Sequence, residues 1–439
     1  MTAPKQLIST LILSLVSAHC LAHPFKINAE ASHEKIRTDV KTTAYLKVAL
    51  TGLDLNGARP PLNIALVIDR SGSMRGQRIK QAKEAAKLAI SMLKADDILS
   101  LIAYDTSAEL LLPSTKVGDG SMARRMIDKL SPNGSTALFA GTEMGGAEVS
   151  KFLDRERVNR VILLSDGIAN VGPSSTPELA RLGATLAGKG IAVSTIGLGL
   201  GYNEDLMAKL ADSSDGNHSF VERPDQLAQI MSLELNDAIA VVAQDVEIKM
   251  TFPKGIRPVK TLGREADFQG QVVTSAIKQL ITGTERYVLI ELEVSPDQSR
   301  ETLDLAEVVI NYRDQSGEIA TAEAKVSSAI TDSAKIMTDS ARAKVMESVV
   351  ELTAREQQEI AIKLKDEGQE AEAIRVMDQS NSYLRSNAAK YGSQKLKKME
   401  EASKEDTEVI KRKGKGQDWS RTRKQMRKKA YSSKAQMAF

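Results

Sequence analysis

Thiol chemistry has almost nothing to work with in this chain, which holds one cysteine, Cys20, among 439 residues. That cysteine lies within the first 22 residues, which read as a cleavable leader, so a mature chain starting at His23 carries no thiol. Disulfides, thiolate metal sites and cysteine nucleophiles are thereby excluded. Aromatic residues make up only 4%, too few for a surface that stacks on bases or sugars. Of the four histidines, only His23, His33 and His218 remain beyond the leader, and none stands in a pattern that would pair it with a serine nucleophile. Long apolar runs are missing as well. The stretch Leu7 to Val16 falls short of the roughly 20 residues a spanning helix needs, and His23-Pro24 cannot extend it. The sequence therefore predicts no transmembrane helix in the mature chain.

The N-terminus has one basic residue, Lys5, then that apolar run, then small residues up to Cys20-Leu21-Ala22. This order predicts export, to the periplasm or the cell exterior, with cleavage after Ala22 or alternatively Ala18. A lipidated Cys20 is disfavoured by His19, since such signals want a small residue before the cysteine.

A 27% charged and 42% apolar composition is that of a soluble globular chain, and the length suggests about two to four units. The net charge of +3 hides an asymmetry: residues 395–439 hold 15 Lys/Arg against 6 Asp/Glu, leaving the rest mildly acidic. Nucleic acid is disfavoured as a partner, because the body offers no basic stripe. An anionic envelope surface is the partner that the tail itself suggests. Lys413-Gly414-Lys415-Gly416 marks 395–439 as a flexible end, and its stretch Gln425 to Lys429 reads as a solvated face.

Lys41 to Leu53 alternates like a half-buried strand, so 23–61 is expected to supply strands of a β-sandwich. Asn63 to Asp69, Val158 to Asp166 and Gly190 to Gly199 are near-continuous apolar runs, as in parallel strands buried on both faces. Helical stretches separate them, Gln77 to Leu93 and Thr176 to Ala187 among them, and Ala108 to Val117 reads as an antiparallel edge. The alternation predicts a doubly wound, mostly parallel α/β sheet over 62–238. Strand alternation returns over 239–330. The unpartnered early strand is expected to join these later ones, leaving the α/β unit inserted in the sandwich. A helical hairpin is expected within 331–394, from Ala341 to Lys365 and Glu370 to Leu384.

The first buried strand ends in Asp69-Arg70-Ser71-Gly72-Ser73, where open α/β sheets bind ligands. A carboxylate and two hydroxyls are hard donors suited to magnesium, manganese or calcium. Alone, Asp-x-Ser-x-Ser is also an ordinary turn. Gly134-Ser135-Thr136-Ala137-Leu138 and Leu164-Ser165-Asp166-Gly167 add a threonine and a second aspartate. In this order the five residues resemble the metal-ion-dependent adhesion site of von Willebrand factor type A domains, over about Leu62 to Ala238. The strand-flanked arrangement is similar to that of exported bacterial members. The resemblance implies a divalent cation, most simply magnesium, held directly by Ser71, Ser73 and Thr136, with Asp69 and Asp166 supplying charge directly or through water. It also implies a partner protein whose Asp or Glu completes the shell, and a role in adhesion rather than catalysis.

The alternative from another class is an envelope assembly scaffold whose helical and basic end makes the main contacts. Two lesser signals point elsewhere and are set aside. Gly197-x-Gly199-x-Gly201 lacks the dinucleotide-loop spacing and reads as a turn, and Asp69-x-Ser71 lacks the second carboxylate of an aspartyl phosphatase.

Overall fold

Strands apolar along their whole length need cover on both faces, and the three such runs lie together in one sheet. The computed structural model describes residues 23–54, 59–154, 156–296, 302–412 and 417–436. The expected leader, with Cys20, lies outside the described residues, as do Lys413 to Gly416. The chain opens with β1 (Phe25–Ala31), β2 (Lys35–Arg37) and β3 (Thr42–Gly52). The α/β unit follows: β4 (Leu62–Asp69), α1 (Gln77–Met92), β5 (Ile98–Tyr104), β6 (Ala108–Lys116), α2 (Ser121–Asp128) and α3 (Leu138–Ser150). It continues with β7 (Val158–Ser165), α4 (Thr176–Gly188), β8 (Ile191–Leu198), α5 (Glu204–Ser213), β9 (His218–Val221) and α6 (Leu227–Ile239).

The sheet order is β6-β5-β4-β7-β8-β9, parallel except for the antiparallel edge strand β6. Alternate residues of β4 feed two separate cores. Leu62, Ile64, Leu66 and Ile68 pack with residues of α1 and α6, while Ala65 and Val67 pack with residues of α3 and α4. That double burial is the physical reason for the unbroken apolar run. Because β5 and β7 flank β4 on opposite sides, the connections diverge there and a crevice opens at the carboxyl ends of the strands.

Beyond this unit lie β10 (Val241–Thr251), β11 (Ile256–Leu262), β12 (Asp267–Gln269), β13 (Val272–Ile281), β14 (Glu285–Val294), β15 (Thr302–Arg313) and β16 (Ile319–Thr331). They form two sheets with the early strands, in orders β1-β3-β14-β11 and β12-β13-β10-β15-β16-β2. Strand β3 pairs along its length with β14, so the α/β unit is an insertion between paired strands. Leu46, Val48 and Leu50 meet Ile248, Met250 and Ile310 in the core between the sheets.

The helical end is larger than expected. It holds α7 (Ala334–Asp339), α8 (Ala343–Asp366), α9 (Glu370–Tyr391), α10 (Gln394–Lys411) and α11 (Gln417–Ala435). Val345, Val349 and Leu352 of α8 cover Ala49, Tyr287 and Leu289 on the outer face of the smaller sandwich sheet. The flexible basic end expected over 395–439 is corrected by α10 and α11, which fold back on the other helices. Met426, Ala430 and Tyr431 of α11 are buried, so the stretch read as a solvated face is a packed one. Part of the charge of this end is answered within the chain: Lys395 of α10 pairs with Glu351, and on α11 Arg421 pairs with Glu222, Lys429 with Asp406 and Lys434 with Glu359. No helix among the described residues is long and apolar enough to cross a membrane.

Candidate metal centre

Asp69 ends β4 and is completely buried. One carboxylate oxygen accepts the Ser71 backbone N–H at 2.8 Å, which turns the chain sharply; the other accepts the Ser165 hydroxyl at 2.8 Å. The Ser71 and Ser73 hydroxyls lie 3.0 Å apart, and Ser73 donates to Asp166 Oδ1 at 2.6 Å. Thr136 arrives from the loop before α3. Its N–H donates to Asn170 Oδ1 at 2.8 Å and its carbonyl accepts the Asn170 N–H at 3.2 Å, tying this loop to the one after β7. Gly72 N–H donates to the Gly134 carbonyl at 3.0 Å, joining the same loop to the turn after β4.

Glycine at 167 keeps the space between the Thr136 and Ser73 hydroxyls clear. A Cβ there would come within 3.0 Å of Thr136 Oγ1 and 3.5 Å of Ser73 Oγ, intruding between the hydroxyls. The structure thus brings Asp69, Ser71, Ser73, Thr136 and Asp166 to one crevice at the carboxyl edge of the sheet.

The two carboxylates differ in compensation. Asp166 Oδ2 accepts Arg78 Nη1 at 2.6 Å. Among the described residues, no lysine, arginine or histidine pairs with Asp69. Burial pushes its carboxyl up to about 6 against the hydrogen bonds from Ser71 and Ser165, and Asp166 pushes the same way. A buried anion with only neutral donors is costly, and a cation beside it removes the cost. Hydroxyl and carboxylate oxygens fit a hard divalent ion, so the residues present suit magnesium, manganese or calcium. Among the described residues, no group of three or more His, Cys, Asp or Glu is placed to hold a metal, so the centre depends on its hydroxyls.

Four supporting residues escaped the sequence reading, Asn170 beside Thr136 among them. Ser165, adjacent to Asp166, orients Asp69; Tyr104, buried beneath, donates its hydroxyl to the Leu164 carbonyl at 3.1 Å. Arg78 sits in the first turn of α1, and nothing in the spacing of the motif pointed to it.

Residues 63–233 match the sequence model of the von Willebrand factor type A domain. The α/β unit is a von Willebrand factor type A domain. As a class such domains are protein-interaction modules with a divalent-cation site. An uncharacterised protein of Synechocystis sp. is 31% identical over 258 residues, 56% of this chain and 61% of that one. Another, from Escherichia coli, is 28% identical over 224 residues, 50% of this chain and 39% of its own length. The chain thus spans less than two thirds of either bacterial relative. Human inter-alpha-trypsin inhibitor heavy chain H2 is 30% identical over 175 residues, 37% of this chain and 18% of that protein.

Two solved structures share the fold beyond the von Willebrand domain. A von Willebrand factor type A protein from Catenulispora acidiphila superimposes with a TM-score of 0.67 over 89% of this chain and 90% of that one, at 18% identity. An ArnB paralogue from Sulfolobus acidocaldarius gives 0.59 over 93% and 99%, also at 18% identity. The sandwich, inserted domain and helical end therefore recur together as one architecture.

Proposed function

We propose that this chain is an exported protein-binding module, periplasmic or secreted, that captures an acidic residue of a partner protein at a divalent ion in the crevice. Magnesium is the first choice, with manganese or calcium as alternatives. Ser71, Ser73 and Thr136 would hold the ion and Asp69 and Asp166 would balance its charge. When bound, the ion supplies a Lewis acid for an incoming carboxylate. The observation that carries the reading is the uncompensated buried carboxylate of Asp69 among three hydroxyl-bearing residues.

A non-catalytic role is part of the proposal. The Ser71 hydroxyl lies 3.0 Å from that of Ser73, and among the described residues no histidine pairs with it, so the crevice lacks the imidazole that ordinarily activates a serine nucleophile. The scaffold alternative, in which the basic helical end makes the contacts, has less support, since several of that end's basic residues are engaged in ion pairs within the chain.

A pull-down of exported proteins on the immobilised full chain tests the reading, run with magnesium and again with chelator. Capture that needs magnesium and disappears with Asp69→Ala supports ion-mediated binding. Capture indifferent to both supports the scaffold, and esterase or phosphatase activity lost with Ser71→Ala would reinstate an enzyme.

A further inference from the structure

We propose that Lys424 of α11, acting through Tyr202, holds the rim of the metal crevice in place. The last helix would then be a positioning element for ion binding, an inference that rests on reading the crevice as an ion site.

Helix α11 packs on α8 and α10 on one side and on α5 and β9 of the von Willebrand domain on the other, and Lys424 on it is only 3% exposed. The ammonium donates to the Tyr202 carbonyl at 2.7 Å, sits 4.1 Å from the centre of the Tyr202 ring and pairs with Glu204. Arg423 beside it also pairs with Glu204, and reaches Asp205 at 2.6 Å and Asp366 at 2.8 Å. Burial drags the Lys424 pKa down while Glu204 pushes it back up. A buried ammonium is costly without partners, and here a main-chain carbonyl of the β8–α5 loop is one of them.

That loop borders the metal crevice. Gly199 adopts a φ of +73°, and a Cβ on it would stand 3.3 Å from Arg78 Nη2. At Gly201 a Cβ would stand 3.1 Å from the Asp166 carbonyl oxygen. The loop therefore leans on Asp166 and on the arginine that pairs with it. On its other side the Tyr202 ring fills the space over Gly197, where no side chain would fit. The Tyr202 hydroxyl lies 3.4 Å from His218 Nε2, and His218 Nδ1 lies 2.9 Å from Thr195 Oγ1. Tyr431 of α11 closes the cluster, edge-on to His218 and donating its hydroxyl to the Gly216 carbonyl. A continuous packed path thus runs from Lys424 through Tyr202 and Gly201 to Asp166. Removing the ammonium frees the loop to shift against Asp166 and Arg78, which raises the cost of assembling the ion site.

The test uses the full chain and Mn2+ as the probe, with titration calorimetry for affinity and amide hydrogen exchange over 198–203 for the loop. Lys424→Met is expected to weaken Mn2+ binding by about fivefold or more, the lower end of ordinary coupling between sites, and to speed exchange in the loop. Lys424→Arg should recover part of both effects. Lys434→Met removes an ion pair to Glu359 ten residues further along α11, at a side chain that makes no bond to the loop among the described residues, and should leave Mn2+ affinity within about twofold. Tyr202→Leu approaches from the loop side and leaves the α11 ion pairs standing, so it decides the matter if Lys424→Met does not fold; it too should weaken Mn2+ binding. A loop that exchanges faster with unchanged Mn2+ affinity overturns the proposal, as does equal weakening by Lys434→Met. A parent chain that binds no Mn2+ would instead remove the metal reading beneath it.

Discussion

Two neighbouring regions of the von Willebrand domain handle buried negative charge in opposite ways. At the crevice, Asp69 is buried with neutral donors alone. At the α11 contact, Glu204 receives both Arg423 and Lys424, and Asp205 receives Arg423 and Arg427. Both lie near the carboxyl edge of the same sheet. A charge answered within the chain makes a structural joint, whereas one left unanswered in a crevice of hydroxyls marks a place for an outside cation.

The sharpest way to break this comparison is Asp69→Ala, which is expected to abolish Mn2+ binding in a calorimetric titration while the chain stays folded by circular dichroism. Glu204→Gln should do the reverse. It leaves Lys424 buried with a weakened partner and is expected to cost about 3 kcal/mol, read by denaturant unfolding, with ion binding impaired but not lost. Next comes ion removal. At a concentration 100 times its dissociation constant, an ion stabilises the folded chain by about 2.7 kcal/mol, so chelator should lower the thermal midpoint of the parent and leave that of Asp69→Ala unmoved.

Proton competition is a finer probe. Asp69 is raised from 3.8 to about 6, so the ion-free folded state holds a proton that the unfolded chain has released. That contribution to stability is complete below 3.8 and is lost as pH rises through about 6. Ion binding displaces the proton and runs the other way, so Mn2+ affinity should climb between pH 5 and 7 and then level off. An affinity flat across that window would mean that Asp69 is not the titrating ligand. The smallest effect is expected from Arg78→Gln. Its guanidinium is partly exposed and competes for Asp166, so its removal should strengthen ion binding by no more than about 1 kcal/mol, as suits a partly exposed pair.

Asp69, Ser71, Ser73 and Asp166 were readable because they close or follow a strand whose apolar run announces it, and because Asp-x-Ser-x-Ser carries its own turn: Asp69 bonds the Ser71 N–H within one loop. Thr136, between α2 and α3, follows no strand and was found through the resemblance alone. The insertion of the α/β unit was readable from an early strand without a local partner, which β14 then supplied. What stayed hidden depends on distant pairs. The glycines at 197, 199 and 201 were read as a turn, which holds for Gly199 and Gly201 while Gly197 belongs to β8, and nothing local tells that this turn rests on Asp166 and Arg78. Helix α11 looked like a solvated basic stretch, since its arginines and lysines acquire meaning only when Glu204, Asp205 and Asp366 are brought beside them.

By itself, then, the sequence determined the strand grammar, the order of the five crevice residues and the kind of ion their oxygens would suit. Those properties are set by short-range periodicity and donor chemistry. Tertiary structure alone decided which buried carboxylates receive a cation from the chain and which do not. Compensation of charge depends on separations in space, and residues some 220 positions apart, such as Glu204 and Lys424, carry no mark of their pairing in the local sequence.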